Sequence, residues 1–143
     1  MAMKNDEYYM KIALLEAKKA YRINEIPVGA VLYSIEENRI ISKAYNTRDS
    51  KNIVIDHAEV KAIIKANKKN QNWRLPKTIL YTTLEPCKMC KEIIKEAKVE
   101  KVIYGAKGRE RETEKSIIQI DNEDIVKECE KLIKMKFHEI RKK

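Results

Sequence analysis

The spacing of hydrophobic positions along the chain alternates between a helical period and a strand-like period. Apolar residues recur at about every third or fourth position in some segments, which predicts amphipathic helices. In other segments they cluster in short β-branched runs bounded by turn-forming residues, which predicts strands. The predicted elements are, in order, a helix over 6–22, strands over 28–34 and 39–45, a helix over 57–67, a strand over 78–82, a helix over 87–98, a strand over 99–104 and a helix over 124–141.

Three other segments show no clear period. Residues 46–52 are polar and are predicted as a loop, and residues 107–115 are almost wholly charged and are predicted as a second loop. Residues 117–120 form a short apolar run, which fits either a last strand or a continuation of that second loop. Gly105 is expected to end the strand that precedes the charged segment.

The same periodicity predicts which side chains are buried. Val60, Ile63 and Ile64 share one side of the helix over 57–67 and are expected to face the core. Trp73 is the single tryptophan, and we expect it to fill the core rather than to form a stacking platform for a base.

Strands and helices alternate in the second half of the chain. This order predicts crossover connections and a mixed sheet with helices on both faces, which is an α/β fold. The 143 residues suit one domain, and no linker, repeat or low-complexity segment divides them. A single domain over 1–143 is therefore expected.

Composition limits the class of protein. Apolar residues make up 43% of the chain, enough for a packed core, yet no apolar run approaches the roughly 20 residues of a membrane span. Residues 1–7 contain no apolar stretch, so no signal peptide is predicted. The three cysteines are an odd number and do not form a disulfide framework. A cytoplasmic protein without a membrane partner is expected.

The net charge of +9 suggests a nucleic-acid partner, but lysines scattered over solvated helix faces would produce the same total. The C-terminal residues concentrate this charge. Such a helix end fits either phosphate binding or complementation of the helix dipole. The basic residues in it are Lys131, Lys134, Lys136, Arg141, Lys142 and Lys143.

Two short clusters carry the candidate chemistry. His57 and Glu59 lie in the first, and Cys87 and Cys90 follow Pro86 in the second. One imidazole and two thiolates make a three-ligand zinc site, which leaves the fourth position open as in catalytic zinc centres. The spacing of Cys87 and Cys90 places both sulfurs on one face of a helix start, where the helix dipole favours thiolates. The pattern resembles the signature of zinc nucleobase deaminases.

Deamination needs more than the metal ligands. A nucleophilic water must form near neutral pH, protons must move to a ring nitrogen and to the departing ammonia, and the base must be held edge-on. Glu59 is the candidate for proton transfer, and Asn46 is the candidate for holding the base. Asn46 taken alone also fits an ordinary turn residue, and Glu59 taken alone fits a surface helix residue.

Other uses of the cysteines remain open. A Cys-x-x-Cys pair also occurs in thioredoxin-like redox sites, which need no histidine. A structural zinc site would need a fourth ligand, for which Cys129 and His138 are the remaining choices. Cys129 lies on the apolar stripe of the last helix and is expected to be a buried core thiol, and His138 is expected to be solvated.

The clusters lie within a wider resemblance, which covers residues 5–106 and resumes near Cys129. The chain resembles the bacterial tRNA adenosine deaminases, which convert the wobble adenosine of an anticodon to inosine. The matching segments are Ile26-Pro27-Val28-Gly29-Ala30-Val31, Tyr45-Asn46, His57-Ala58-Glu59, Trp73-Arg74-Leu75, Leu80 to Cys90 and Val102-Ile103-Tyr104-Gly105-Ala106.

This resemblance implies a three-layer α/β/α, cytidine-deaminase-like fold with a five-stranded mixed sheet. It implies one Zn²⁺ per subunit, a homodimer, and a tRNA anticodon stem-loop bound across the subunit interface. By residue, it implies that His57, Cys87 and Cys90 bind zinc, that Glu59 shuttles protons, that Asn46 contacts the base, and that Val28 and Ala58 line its pocket.

One segment departs from the family pattern. Residues 107–115 lack the usual glycine-rich run, and Gly108 stands where the family has an acidic residue. Two alternatives follow: a deaminase of a free base or nucleotide, guanine or dCMP, and a zinc-stabilised nucleic-acid-binding module without catalysis. Trp73 and the basic tail favour the tRNA enzymes over guanine deaminases, Glu85 disfavours dCMP deaminases, and Glu59 disfavours a purely structural zinc site.

Overall fold

The structure is a computed structural model that describes residues 2–142 and, within them, the side chains of residues 5–139. Its helices are α1 (Ala2–Arg22), α2 (Arg48–Lys51), α3 (Ala58–Asn70), α4 (Lys88–Glu96) and α5 (Glu123–Lys142). Its strands are β1 (Gly29–Ser34), β2 (Arg39–Tyr45), β3 (Thr78–Leu84), β4 (Lys101–Ala106) and β5 (Ile117–Gln119).

The five strands form one mixed sheet in the order β2-β1-β3-β4-β5. β1 runs antiparallel to both β2 and β3, whereas β3, β4 and β5 run parallel to one another. The parallel connections pass through α4 and through the charged segment that precedes β5. The predicted α/β fold with a five-stranded mixed sheet is therefore confirmed.

Helices cover both faces of the sheet, because successive side chains of each strand point to opposite faces. Ala30 and Leu32 pack in a core with α3 and α4, whereas Val31 and Tyr33 pack in a second core with α1 and α5. Burial of both faces explains why β1 is apolar at almost every position instead of alternating with polar residues. This arrangement is the predicted three-layer α/β/α architecture.

α1 lies unusually close to β1, and Gly29 makes this approach possible. A Cβ atom at Gly29 would lie 2.0 Å from the carbonyl oxygen of Ala13 and 2.5 Å from the backbone nitrogen of Ala17. Backbone atoms cannot yield to such an overlap, so only glycine fits here. Gly29 thereby sets the position of β1, whose first residue directly follows Val28.

Most predicted boundaries agree with the structure to within a few residues. The loop over 46–52 contains the short helix α2, which the polar sequence did not reveal. The run over 117–120 contributes strand β5. Gly105 does not end its strand but lies inside β4. A glycine is needed there because Cys129 of α5 packs so closely that an added Cβ would lie 2.4 Å from the Cys129 Sγ.

Two burial predictions were wrong. Ile64 is 38% exposed, because the buried face of α3 is centred on Glu59, Ala62 and Ala66. Trp73 is 53% exposed, and its ring stacks against the Arg74 guanidinium instead of filling the core.

One lysine in the basic end of α5 is buried. Lys136 is buried, donates a hydrogen bond to the Asn24 side chain and lies over the ring of Tyr21, so it fastens α5 to α1. The ammonium of Lys136 is therefore not free to bind phosphate. Arg141, Lys142 and Lys143 lie outside the residues whose side chains are described.

Cys129 is buried and His138 is exposed, as expected, so neither is placed to complete a four-ligand site. Among the helices of the described residues, none combines the length and apolarity needed to cross a membrane.

Candidate active site

The candidate metal ligands lie at the starts of two helices that pack on the same face of the sheet. His57 is the N-cap of α3, and Cys87 is the N-cap of α4. Both residues have extended backbone conformations, and neither side chain caps its own helix, so both are free to point toward a shared centre. Cys90 follows in the first turn of α4 and is fully buried.

The donor atoms of these three residues converge. The Nδ1 atom of His57 lies 3.4 Å from the Sγ of Cys90 and 3.8 Å from the Sγ of Cys87, and all three donor atoms lie within 4.8 Å of one another. Ligands at zinc-bond lengths in a tetrahedral site are separated by about 3.5–3.8 Å. The nitrogen–sulfur distances and the donor chemistry therefore fit zinc.

The three groups also change one another's protonation. A hydrogen bond from the Cys90 thiol, assisted by one from His57, lowers the pKa of Cys87 to about 3. The hydrogen bond with Cys87 and burial raise the pKa of the Cys90 thiol, and the contact with Cys87 raises the pKa of His57. Cys87 is therefore the first thiolate in the metal-free protein, and zinc binding requires that Cys90 also lose its proton.

Glu59 lies in the first turn of α3, beside this cluster. Its side chain is almost fully buried, and burial raises the pKa of its carboxyl to about 7. A carboxyl with that pKa gains and loses a proton readily near neutral pH, which is the property of a general acid and base.

A cavity of about 130 Å³ opens directly onto these groups. Its lining includes six of the seven site residues predicted from the sequence, and the seventh, Cys90, lies behind Cys87 and His57. The six are Val28, Asn46, His57, Ala58, Glu59 and Cys87.

Asn46 has a fixed orientation in this cavity. Its side-chain nitrogen donates to the carbonyl oxygen of Ile26, and its Oδ1 accepts the backbone N–H of Arg48. One N–H and one oxygen lone pair of the amide remain for a ligand. The side chain can therefore present both a donor and an acceptor to the edge of a base.

The family model for the zinc-binding region of cytidine and deoxycytidylate deaminases matches residues 3–106 of the chain. The chain belongs to this deaminase family. The matched residues include the three candidate ligands and Glu59, and the metal of this family's matched region is zinc.

Relatives within the deaminase family are similar over most of the chain. A tRNA-specific adenosine deaminase from Bacillus subtilis (strain 168) is 39% identical over 99% of this chain and 94% of its own length. A solved structure from studies of A-to-I editing by tRNA:A34 deaminases has 30% identity and a TM-score of 0.71, covering 79% of this chain and 97% of that one. A guanine deaminase structure from Bacillus subtilis has 36% identity and a TM-score of 0.66, covering 71% of this chain and 64% of that one.

Sequence reasoning missed several residues of the deaminase cavity. Ile26, Arg48, Leu84 and Glu85 also line it. Leu84 and Glu85 immediately precede the Pro-Cys motif, and that adjacency could have identified them. Nothing local distinguishes Arg48 from other surface arginines, because its position depends on helix α2.

A second, wider cavity of about 610 Å³ adjoins the first and shares part of its lining, including Arg48, Leu84 and Glu85. Its outer wall is formed by residues 107–110, and the opposite wall includes Ile133 and Phe137 of α5. The charged loop and the C-terminal helix therefore both line the space that adjoins the first cavity.

Proposed function

We propose that this protein is a zinc-dependent hydrolase that converts adenosine to inosine at the wobble position of tRNA anticodons. The observation that carries the proposal is the cavity that opens onto the His57, Cys87 and Cys90 cluster and is also lined by the buried Glu59 and the oriented Asn46. The similarity to tRNA-specific adenosine deaminases over nearly the whole chain supports this substrate over others.

His57, Cys87 and Cys90 would hold the zinc ion, which would supply the Lewis acidity that makes water nucleophilic near neutral pH. The Glu59 carboxylate takes a proton from the attacking water, whose oxygen bonds to C6 of adenine, and delivers that proton to N1. Glu59 then moves the second proton to the departing amine, which leaves as ammonia. Its raised pKa, about 7, suits both halves of this transfer.

The remaining lining positions the base. Val28 and Ala58 supply apolar surface for the flat purine ring, and the Asn46 amide hydrogen-bonds its edge. A cavity of this depth requires the target nucleotide to leave the stack, which an anticodon loop permits at low cost because its bases are unpaired.

A substrate panel tests this proposal. Purified zinc-loaded protein is incubated separately with an adenosine-bearing anticodon stem-loop, guanine and dCMP, and inosine and ammonia are measured. We expect inosine in the stem-loop. Turnover of dCMP alone would contradict the proposal, and zinc binding without turnover of any substrate would favour the non-catalytic nucleic-acid-binding module.

Guanine deamination is the second candidate function. It is favoured by the solved guanine deaminase to which the chain is similar and by a cavity whose size suits a purine. The panel separates the two functions, because turnover of guanine without turnover of RNA would replace the first proposal by the second.

A stripe of lysines on α5 is proposed to bind the RNA backbone. Lys127, Lys131 and Lys134 are exposed and recur at helical spacing. Lys134 is adjacent in the chain to Ile133, which lines the wider cavity. The lysine stripe therefore lies on the helix that contributes Ile133 and Phe137 to the wider cavity.

Replacing Lys127, Lys131 and Lys134 together by glutamine is expected to weaken stem-loop binding. Binding is measured at several salt concentrations. Loss of these phosphate contacts should reduce the slope of the logarithm of the RNA binding constant against the logarithm of salt concentration by about one unit for each lysine that contacts phosphate. The matched control replaces Lys65, Lys68 and Lys69, which lie at the far end of α3 from His57. Equal effects in the two triple variants would assign the result to net charge alone.

The proposal includes a homodimer in the cytoplasm. Three consecutive apolar side chains, Ile53, Val54 and Ile55, are exposed just before His57, with Val54 exposed to 72%. Contiguous exposed apolar surface of this kind is typical of protein–protein contacts. A partner subunit covering this segment would lie beside the cavity, in keeping with RNA binding across an interface.

Val54→Lys is expected to shift the protein from dimer to monomer, measured by light scattering after size-exclusion chromatography. Leu15→Lys on α1 is the control, because Leu15 is also exposed and apolar but lies in the opposite helical layer. A wild-type protein that remains monomeric at high concentration would contradict the dimer.

A further inference from the structure

Glu85 is a buried carboxylate that the catalytic scheme does not use. It follows β3, directly before Pro86 and Cys87, and its side chain is only 4% exposed. One oxygen accepts the backbone N–H of Gly108 at 2.9 Å, and Lys107 Nζ donates to both oxygens at 2.9 and 3.0 Å. Lys91, itself 8% exposed, lies 3.8 Å away on the other side.

The two lysines extend this cluster into the charged loop. Lys107 Nζ also donates to the carbonyl oxygen of Glu110 at 2.9 Å, and Lys91 Nζ donates to the carbonyl oxygen of Glu112 at 3.4 Å. Glu85 therefore organises an ionic cluster that holds residues 107–112 at several points.

This segment has little else to order it. Residues 107–115 contain no apolar side chain, so hydrophobic burial cannot hold them in place. They form no helix or extended strand. Beyond the Glu85 cluster, Glu114 near the end of the segment pairs with Ile117 in a bridge and with Lys95 of α4 in an ion pair. The contacts around Glu85 thus account for the conformation of the loop where it forms the outer wall of the wider cavity.

We propose that Glu85 is a positioning residue for the RNA substrate, through its hold on residues 107–112. This inference rests on the proposed tRNA deamination. The ionic cluster links the metal-ligand segment to the loop that faces the RNA, so the entrance is ordered before the substrate arrives. Preordering lowers the free-energy cost of binding and therefore acts on KM rather than on the chemical step.

The test replaces Glu85 by glutamine, which keeps the side-chain volume and removes the charge that both lysines share. For the anticodon stem-loop we expect KM to rise about tenfold and kcat to stay within about twofold, with zinc content unchanged. Trypsin should also cleave faster after Arg109 and Arg111, because the loop that carries them is released. Glu112→Gln is the matched control, since it makes the same charge change in the loop and keeps the carbonyl that Lys91 contacts.

Lys107→Met provides a second variant on the exposed side of the same pair, where folding is not at risk. It should raise KM and trypsin cleavage in the same direction. Combined with Glu85→Gln it should add little, because both changes remove one interaction. Additive effects, a fall in kcat with KM unchanged, or unchanged cleavage in both variants would overturn the inference.

The two readouts fail separately. If the wild-type protein does not deaminate RNA, the proposed function fails, and the trypsin result still decides whether Glu85 holds the loop. If RNA is deaminated but neither variant changes cleavage or KM, the positioning role alone is refuted.

Discussion

Replacing Glu59 by glutamine is expected to lower kcat for deamination by about 10³-fold, with zinc content unchanged. General acid–base catalysis by one side chain contributes about 10²–10⁴ in rate, and here one carboxyl is assigned both proton transfers. A loss of 10³-fold corresponds to about 4 kcal/mol in the activation barrier. Glutamine has nearly the same size but cannot accept and return a proton, so the variant isolates the chemistry from packing. The measurement is single-turnover inosine formation, together with metal analysis.

The control for Glu59→Gln is Glu92→Gln. Glu92 is a solvent-exposed carboxylate on α4 that lies outside both cavities described above. Its replacement should leave kcat and zinc content unchanged. Full activity in Glu59→Gln would show that another group carries the protons. Loss of zinc in that variant would instead assign Glu59 to the metal site.

The second large effect is expected for Cys90→Ala, which should lose zinc and with it at least about 10³-fold of deaminase activity, because the metal no longer activates water. Cys90 is fully buried, and alanine removes only the sulfur from its side chain. The measurements are zinc per subunit by elemental analysis and thermal unfolding with and without a chelator. The wild-type protein should be destabilised by the chelator, and the variant should be insensitive to it.

Cys129→Ala is the matched control for Cys90→Ala. Cys129 is also buried, but it packs against Gly105 in the opposite core, away from His57 and Cys87. We expect it to lose some stability through the small cavity created and to keep both zinc and activity. Full zinc occupancy in Cys90→Ala would contradict the three-ligand site.

The elements of this fold could be predicted because their signals are local. The hairpin of β1 and β2 follows from two β-rich runs around a short polar turn, and α3 and α4 follow from apolar residues at helical spacing. The metal ligands were also predictable, since Cys87 and Cys90 lie one turn apart at a helix start. Their assigned roles, with those of Glu59 and Asn46, remain predictions that the variants above test.

Burial was less predictable, because a neighbouring element decides it. Ile64 has the spacing of a core residue, yet the sheet contacts the adjacent face of α3. Lys136 is charged and near the chain end, yet it is buried because Asn24 and Tyr21 of the α1 end receive its ammonium.

The sequence by itself determined the α/β class, the order of most elements and the chemistry of the zinc site, because periodicity and ligand spacing act over a few residues. Only the tertiary structure decided how the charged loop after β4 is held. Glu85 and Lys107 are separated by 22 positions in the chain and meet because β3 and β4 lie side by side. A contact between groups so far apart depends on strand pairing, which leaves no periodic signal in either segment.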